Sequence, residues 1–299
     1  MRTIADLTRL LLDFTEQDGI FQSSIAGISI VRSSTPTAPE MVLYEPTLCV
    51  VAQGAKEARL DNQTYRYDCG HYLLGSVKLP VIGAVTEATQ ARPYLCLRIA
   101  LNTVLLAELV ELCDKNNNYD SNIAGLNLGA MDEKLIDVVA RLAEMLHSPQ
   151  HIAVLAPLIE KELTWLLLQQ PESYTALAQM VVSDSRLRRI KKAIKWLEVN
   201  FTQPVVTSEL AAMANMGVSS FHTHFKAVTG TSPLRFRSRL RLISARRLMV
   251  IEGYQAAEAG YAVGYKEPAQ FSREYAKQFG LPPKQDAIRL QGSFLIDAF

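Results

Sequence analysis

The chain has 299 residues, 48% hydrophobic and 20% charged, a composition ordinary for a soluble protein and long enough for two domains with buried cores. No apolar run approaches the ~20 residues of a membrane span, and Asp6, Asp13 and Glu16 interrupt the N-terminus, so neither a spanning helix nor a signal peptide is expected. The formal net charge of +1 hides a division: residues 1–185 hold 13 Lys/Arg against 22 Asp/Glu, whereas residues 186–285 hold 17 against 6, so only the later segment is built to meet a polyanion.

Residues 1–20 read as a short amphipathic helix with Ile4, Leu7, Leu10, Leu11 and Phe14 on one side. From about 25 to 101 the pattern changes to short runs rich in Val, Ile, Tyr and Leu, at 27–31, 47–52, 63–67, 71–74, 77–85 and 94–101. Gly, Pro, Asp and Asn separate them at short intervals, as in an all-β sandwich or barrel. Asp61-Asn62 suits a hairpin turn between Ala58-Arg59-Leu60 and Thr64-Tyr65-Arg66-Tyr67. Cys49, Cys69, Cys96 and Cys113 form no C-x-x-C pair, which argues for packed thiols over a zinc site or a disulfide framework.

The spacing turns helical at 104–113, breaks at the polar stretch 114–122, and resumes at 131–147 with Leu135, Val138, Val139, Leu142 and Leu146 on one stripe. Asp132 and Glu133 suit the start of that helix. A third, Leu-rich helix over 152–169 contains Trp165, and Pro157 should start or kink it. These stripes either cover a face of the barrel or form the interface of a homodimer, the expected assembly. Residues 171–184 mark the boundary where the charge changes sign. Residues 186–201 then place Leu187, Ile190, Ile194, Leu197 and Phe201 at core spacing, leaving Arg188, Arg189, Lys191, Lys192 and Lys195 mostly solvated or on phosphate.

Between 186 and 285 the sequence overlays on itself at an offset of fifty: Phe221, Phe225, Gly230, Ser232 and Pro233 fall on Phe271, Tyr275, Gly280, Pro282 and Pro283. Each copy predicts a helix with two aromatics on its inner face and a Gly stop in the left-handed region. The outer faces carry Ser219, His222, Thr223 and Lys226 in the first copy and Ala269, Ser272, Arg273 and Ala276 in the second, with Gln270 beside them. Small, polar and basic, they suit a helix laid in a major groove. A shorter helix precedes each: 208–216, with Thr207 and Ser208 as N-caps and Gly217 as its stop, and 256–263 with Gly264 as its stop. A helix, a Gly-containing turn and a second helix make a helix-turn-helix. Residues 233–251 predict a long connecting helix, whose Arg235, Arg237, Arg239, Arg241, Arg246 and Arg247 cannot all face DNA; some must pair with carboxylates or pack by their stems.

The residues Gly217 to Lys226, Gly230, Ser232 and Pro233, then Leu240-Arg241-Leu242, Ala245-Arg246 and Leu248, resemble the first half of the AraC/XylS DNA-binding domain. Val263-Gly264-Tyr265, Phe271-Ser272-Arg273-Glu274-Tyr275 and Phe279-Gly280 are similar to its second half. The resemblance implies two units, joined by a long helix, that enter successive major grooves. Three departures stand out: Gly217 where a Ser N-cap is usual, Thr223 where Arg is common, and Gly260 inside a helix at ~1 kcal/mol relative to Ala. Glu45-Pro46-Thr47-Leu48-Cys49, Gln53-Gly54-Ala55-Lys56, Gly70-His71-Tyr72-Leu73-Leu74 and Leu79-Pro80-Val81 resemble, less specifically, the N-terminal domain of one AraC-like subgroup, a cupin-like barrel that binds a small effector or carries dimer contacts. Cys49, His71 and Tyr72 are the effector-pocket residues this implies.

The expected architecture is multidomain, α and β: an N-terminal cupin-like β-barrel with flanking helices, and a C-terminal all-α domain of two helix-turn-helix units joined by a long helix. The expected bounds are 1–170 for the sensor and dimerisation domain, 171–185 for a linker, 186–285 for the DNA-binding domain and 286–299 for a tail. The expected function is a cytoplasmic transcription regulator that binds double-stranded promoter DNA through Ser219, His222, Thr223, Lys226, Ala269, Gln270, Ser272 and Arg273, with RNA polymerase as a further candidate partner. A regulator with no small ligand is the alternative. A metal-dependent cupin enzyme is the reading from another class, but the β region holds a single His, His71, where metal cupins converge several His and a carboxylate. His147 and His151 lie beyond it, and no Ser, His and acid set forms a nucleophile motif. No catalytic residue, metal or cofactor is therefore assigned.

Overall fold

The computed structural model describes residues 1–113, 124–183 and 185–291. The polar stretch 114–122, expected as a loop, lies outside the described residues. In chain order the N-terminal part runs α1 (Ile4–Phe14), β1 (Gly19–Gln22), β2 (Ile28–Ser33), β3 (Glu40–Tyr44), β4 (Thr47–Gln53), β5 (Ala55–Leu60), β6 (Gln63–Asp68), β7 (His71–Gly75), β8 (Leu79–Glu87), β9 (Tyr94–Ala100), α2 (Thr103–Glu111), β10 (Leu126–Ala130), α3 (Glu133–Glu144), a 3₁₀ turn (Met145–His147), α4 (Pro149–Gln169) and α5 (Pro171–Val181). Among the described residues the strands form a six-stranded sheet, β1-β2-β9-β4-β7-β10, and a four-stranded sheet, β3-β8-β5-β6, every pairing antiparallel. Two sheets with one apolar face each bury those faces against one another. Leu48, Val50, Tyr67, Leu73, Leu79, Val81, Leu95 and Leu97 are accordingly buried.

The helices pack against the six-stranded sheet of this barrel-like domain, α1 on β4 and β9 and α5 on β10. Thr3 and Asp6 form a capping box that starts α1 and turns Leu7 and Leu11, both fully buried, onto β4 and α3. Asp132 caps α3 through the Leu135 amide, as its place before the apolar stripe suggests. Pro149 stands at the first turn of α4, where its missing N–H costs nothing, and Pro157 lies within the helix. The hairpin turn falls at Asp61-Asn62 between β5 and β6, with Asp61 left-handed at φ 55°.

Two segments differ from expectation. Residues 171–181, assigned by composition to a linker, form α5, which starts on Pro171 and buries Ser173, Ala176, Leu177, Ala178 and Met180 against α2, α4 and β10. The charge reversal that suggested a connector coincides with a packed helix. The expected tail likewise begins as helix: α12 (Pro283–Leu290) buries Asp286 and Leu290 completely, or nearly so, and residues 292–299 lie outside the described residues.

The C-terminal part comprises α6 (Arg186–Asn200), α7 (Thr207–Met213), α8 (Val218–Thr229), α9 (Pro233–Val250), α10 (Ala256–Ala262), α11 (Pro268–Phe279) and α12. Neither Thr207 nor Ser208 caps α7: Val206 holds that position with no side-chain bond. Its turn is made by Asn215 at φ 50°, while Gly217, at φ −66°, is the N-cap of α8. Asn tolerates the left-handed region better than most non-Gly residues, so the chain can reverse at Asn215, before the glycine at 217. Gly230 and Gly280, at φ 71° and 80°, end α8 and α11 in the left-handed region, the geometry only Gly adopts without strain.

Gly260 has a packing reason. A Cβ there would lie 3.0 Å from two atoms of the Phe271 ring, which is fully buried between Tyr265 and Tyr275 at centroid distances of 5.3 and 5.5 Å. Gly260→Ala is therefore expected to destabilise by ~1–3 kcal/mol through overpacking, overriding the ~1 kcal/mol that helix propensity offers. Thermal unfolding checks this; a midpoint at or above that of the unmodified protein would show that the ring gives way.

Candidate nucleic-acid interface and barrel cavity

The two helix-turn-helix units are built alike. In α8, Phe221, Phe225 and Val228 are buried, with Phe221 and Phe225 5.4 Å apart and Phe225 edge-on to Phe236 of α9. In α11, Phe271 and Tyr275 are buried and the Phe279 ring lies tilted against Tyr275, with centroids 4.5 Å apart. The opposite faces are left open. Ser219, His222, Thr223 and Lys226 of α8 and Ala269, Gln270 and Arg273 of α11 are exposed, and Ser272 is partly covered. The Thr223 hydroxyl donates to the Ser219 carbonyl at 3.2 Å, and Gln270 donates to Glu274 at 3.0 Å. Among the described residues Arg273 makes no ion pair. Glu274, its nearest acid in sequence, is instead engaged by the Tyr265 hydroxyl at 2.8 Å, Ser238 at 3.2 Å and Gln270.

The arginines of α9 divide as steric sense requires. Arg237 donates to the Phe201 carbonyl at 2.8 Å, and Arg241 to those of Phe201 and Thr202 at 2.7 and 2.8 Å, which holds the end of α6. Arg247 pairs with Glu252 at 2.9 Å. Arg246 is wholly buried: it donates twice to Asp286 of α12, at 2.8 and 3.1 Å, reaches Glu40 of β3 at 2.7 Å, and lies 4.1 Å from the Phe279 ring centroid. Arg289 of α12 adds bonds to Glu40 at 2.5 Å and Asp286 at 2.7 Å. Burial works to raise the Asp286 pKa, but the bonds from Arg246 and Arg289 outweigh it and hold the carboxyl below its ordinary value.

This cluster ties the barrel to the second unit. A second tie reaches the first unit: the Gly125 amide donates to the Val228 carbonyl at 2.9 Å, and Gly230 sits against Leu60 and Asp61 of the β5–β6 hairpin. Both α8 and α11 are thus positioned in part by the N-terminal domain.

Between the sheets lies a cavity of about 80 Å³. Tyr94, Cys96 and Arg98 alternate along β9 and so share its inner side; Tyr44, Cys49, Lys56 and Tyr67 add to its polar lining, together with Thr37, Thr47 and the carboxylates Glu40 and Glu45. The Lys56 ammonium lies 5.3 Å from the Tyr44 ring centroid. Burial opposes its charge, yet Tyr44, Cys49 and Cys96 together raise its pKa. The hydrogen bond from Cys96 draws the Cys49 thiol down to about 7 against burial, helped by Arg98 and Lys56, and Cys96 moves up in consequence. Of the expected pocket residues, Cys49 lines this cavity and the other two do not. The His71 ring pairs with Asp68 at 2.8 Å, and Tyr72 packs its ring against Gly129 of the neighbouring strand. Lys56, Cys96, Arg98 and the tyrosines were missed. The alternation along β9 could have revealed three of them, whereas Lys56 enters beside a register shift between Ala55 and Lys56.

Comparison with known proteins agrees with this construction. Residues 24–175 match the family model described as AraC-type transcriptional regulator N-terminus, and residues 210–287 match a helix-turn-helix domain model. The HTH-type transcriptional activator RhaS of Salmonella schwarzengrund (strain CVM19633) is 28% identical over 96 residues, 32% of this chain and 34% of that protein. The chain thus aligns with about a third of the length of such curated relatives. In fold it is similar to ToxT of Vibrio cholerae strain SCE256 in a structure with bound unsaturated fatty acid: TM-score 0.58, 11% identity, 93% of this chain and 98% of that one. ToxT of V. cholerae O395 bound to (E)-4-(8-methylnaphthalen-1-yl)but-3-enoic acid gives a TM-score of 0.56 at 10% identity, over 88% and 98% of the two chains. With the N-terminal model spanning half of the sequence and the double helix-turn-helix behind it, the chain belongs to the AraC-type family of transcriptional regulators.

Proposed function

We propose that this regulator reads promoter DNA with the outer faces of α8 and α11 and that a small effector entering the barrel cavity modulates the reading. The observation that carries the first part is the pair of matching exposed faces on a segment with 17 Lys/Arg against 6 Asp/Glu. Several cations on α9 are engaged within the protein, so the number of phosphates neutralised is at the low end of what the charge allows, about five to eight. Log affinity should then fall with log salt at about −0.9 per contact. Titration of labelled duplex DNA with the full-length chain at several salt concentrations checks this, and a slope near zero would contradict it.

The second part rests on the lining of the cavity. Lys56 and Arg98 offer positive charge beside apolar walls, while the two carboxylates of the lining are already paired, Glu40 with Arg246 and Arg289 and Glu45 with Lys78, which suits an acidic, largely apolar molecule such as those bound in the ToxT structures. At about 80 Å³ the space admits only a small group unless side chains give way. Glu40 borders the cavity and bonds Arg246 and Arg289, so an occupant that displaces β3 acts directly on the second unit.

The same reading includes a homodimer, with two copies meeting through Val154, Leu158 and Trp165 on the exposed stripe of α4. Light scattering at tens of micromolar should give twice the chain mass; a monomer with and without DNA would reject it. Among the described residues no helix is long and apolar enough to cross a membrane.

A further inference from the structure

On the outer side of the four-stranded sheet, away from the barrel cavity, an open cleft of about 890 Å³ separates the barrel from the DNA-binding domain. Its cations come from three elements: Arg59 of β5, Arg235 and Arg239 of α9, and Lys277 of α11. Arg239 is the unusual one. Its side chain is 8% exposed, yet among the described residues it makes no hydrogen bond. Its single ion pair, to Asp61, is stretched to 4.0 Å, and its Nε is buried with no partner. A buried charge left in this state is costly, and natural proteins pair or neutralise it. The neighbouring residues do not. Glu274 is committed to Tyr265, Ser238 and Gln270, while Arg59, Arg235 and Lys277 are exposed and free of ion pairs among the described residues. Burial first, and then the adjacent charge of Arg235, lowers the Arg239 pKa. The charges of Arg235 and Arg239 oppose one another, and among the described residues the stretched pair to Asp61 is the counter-charge Arg239 has.

We propose that this cleft is a second ligand site, for a small phosphorylated, hydroxyl-bearing molecule whose phosphate bridges Arg239, Arg235 and Arg59. Guanidinium forks match phosphate oxygens two at a time, and a phosphate carries enough charge to satisfy more than one of them. The rest of the lining holds the neutral polar Asn62, Ser238 and Gln278, which suit sugar-like hydroxyls, the apolar Met41, Pro80, Ile82 and Leu242, and two carboxylates, Asp61 at 4.0 Å from Arg239 and the hydrogen-bonded Glu274, and the open cleft has room for a ligand of that size. The site spans the hairpin that touches the end of α8 and the helix α11, so its occupant braces both reading units against the barrel. It is separate from the barrel cavity and does not depend on what fills that cavity.

The test is isothermal titration of the full-length chain, without DNA, with ribose 5-phosphate, inorganic phosphate and ribose. Saturable binding of ribose 5-phosphate, weaker binding of phosphate and none of ribose are expected. Arg59→Ala changes only an exposed rim residue, so folding is preserved; it should weaken binding at least fivefold, and Arg239→Gln more. No heat from either phosphate probe would overturn the proposal. So would binding left unchanged by Arg59→Ala, which would place the anion elsewhere. If a short DNA duplex binds and Arg59→Ala weakens it while the small phosphates do not bind, the cleft belongs to the DNA path and the proposal also fails.

Discussion

Arg246→Leu is expected to destabilise the protein by ~3–5 kcal/mol, the range for removing one partner of a buried ion pair. The guanidinium is wholly buried and simultaneously satisfies Asp286 and Glu40. Leucine restores apolar volume but leaves two buried carboxylates dependent on Arg289, which is 37% exposed. The unfolding midpoint should drop by on the order of 10 °C. Arg247→Leu, one residue along, breaks a half-exposed pair with Glu252 and should cost under ~1 kcal/mol. The pH dependence follows from Asp286. Its folded pKa is depressed below the ordinary 3.8, so the stability it contributes is complete above that value and is lost as pH falls through the folded pKa. In Arg246→Leu the depression shrinks, and the acid loss below about pH 4 should flatten. Thermal melts of both variants from pH 3 to 7 check the pair of statements. Equal melts for the two variants would show that the cluster does not hold the domains together.

How much of this was legible depends on how local the cause is. Phe221 and Phe225, Phe271 and Tyr275, and the stops at Gly230 and Gly280 are set by spacings of four and five residues, and the structure places them as those spacings require. The hairpin at Asp61 was readable for the same reason. Where two residues compete for one conformation, the reading slipped. Asn215, not Gly217, takes the left-handed turn, because the asparagine stands where the chain must reverse. Helix α5 was hidden by Pro171 and the change of charge, both of which suit a linker as well as a helix start. The Glu40, Arg246, Asp286 and Arg289 cluster had no signal to find, since Arg289 and Glu40 lie 249 positions apart. Nothing in periodicity or spacing brings such residues together. The cavity lies between these cases: alternation marks Tyr94, Cys96 and Arg98 on one side of β9, but which side faces the other sheet is settled by tertiary packing.

If the exposed faces of α8 and α11 read base sequence, as proposed, they do so unequally. Arg273, which makes no ion pair among the described residues, carries a planar fork able to donate to both O6 and N7 of a guanine, worth ~1–3 kcal/mol of discrimination at that base pair. The matching position in α8 is Thr223, whose hydroxyl is turned back to Ser219, so the first unit must rely on His222, Ser219 and apolar or water-mediated contacts. Lys226 is exposed and suited to phosphate. Selection of binding sites from a random duplex pool by the unmodified chain, Arg273→Ala and Lys226→Ala tests this most directly. Expected are a motif of two blocks for the unmodified chain, relaxation at one G·C pair in one block for Arg273→Ala, and an unaltered motif with uniformly weaker binding for Lys226→Ala. A motif for Arg273→Ala identical to that of the unmodified chain would contradict the base-reading role, whatever happened to overall affinity.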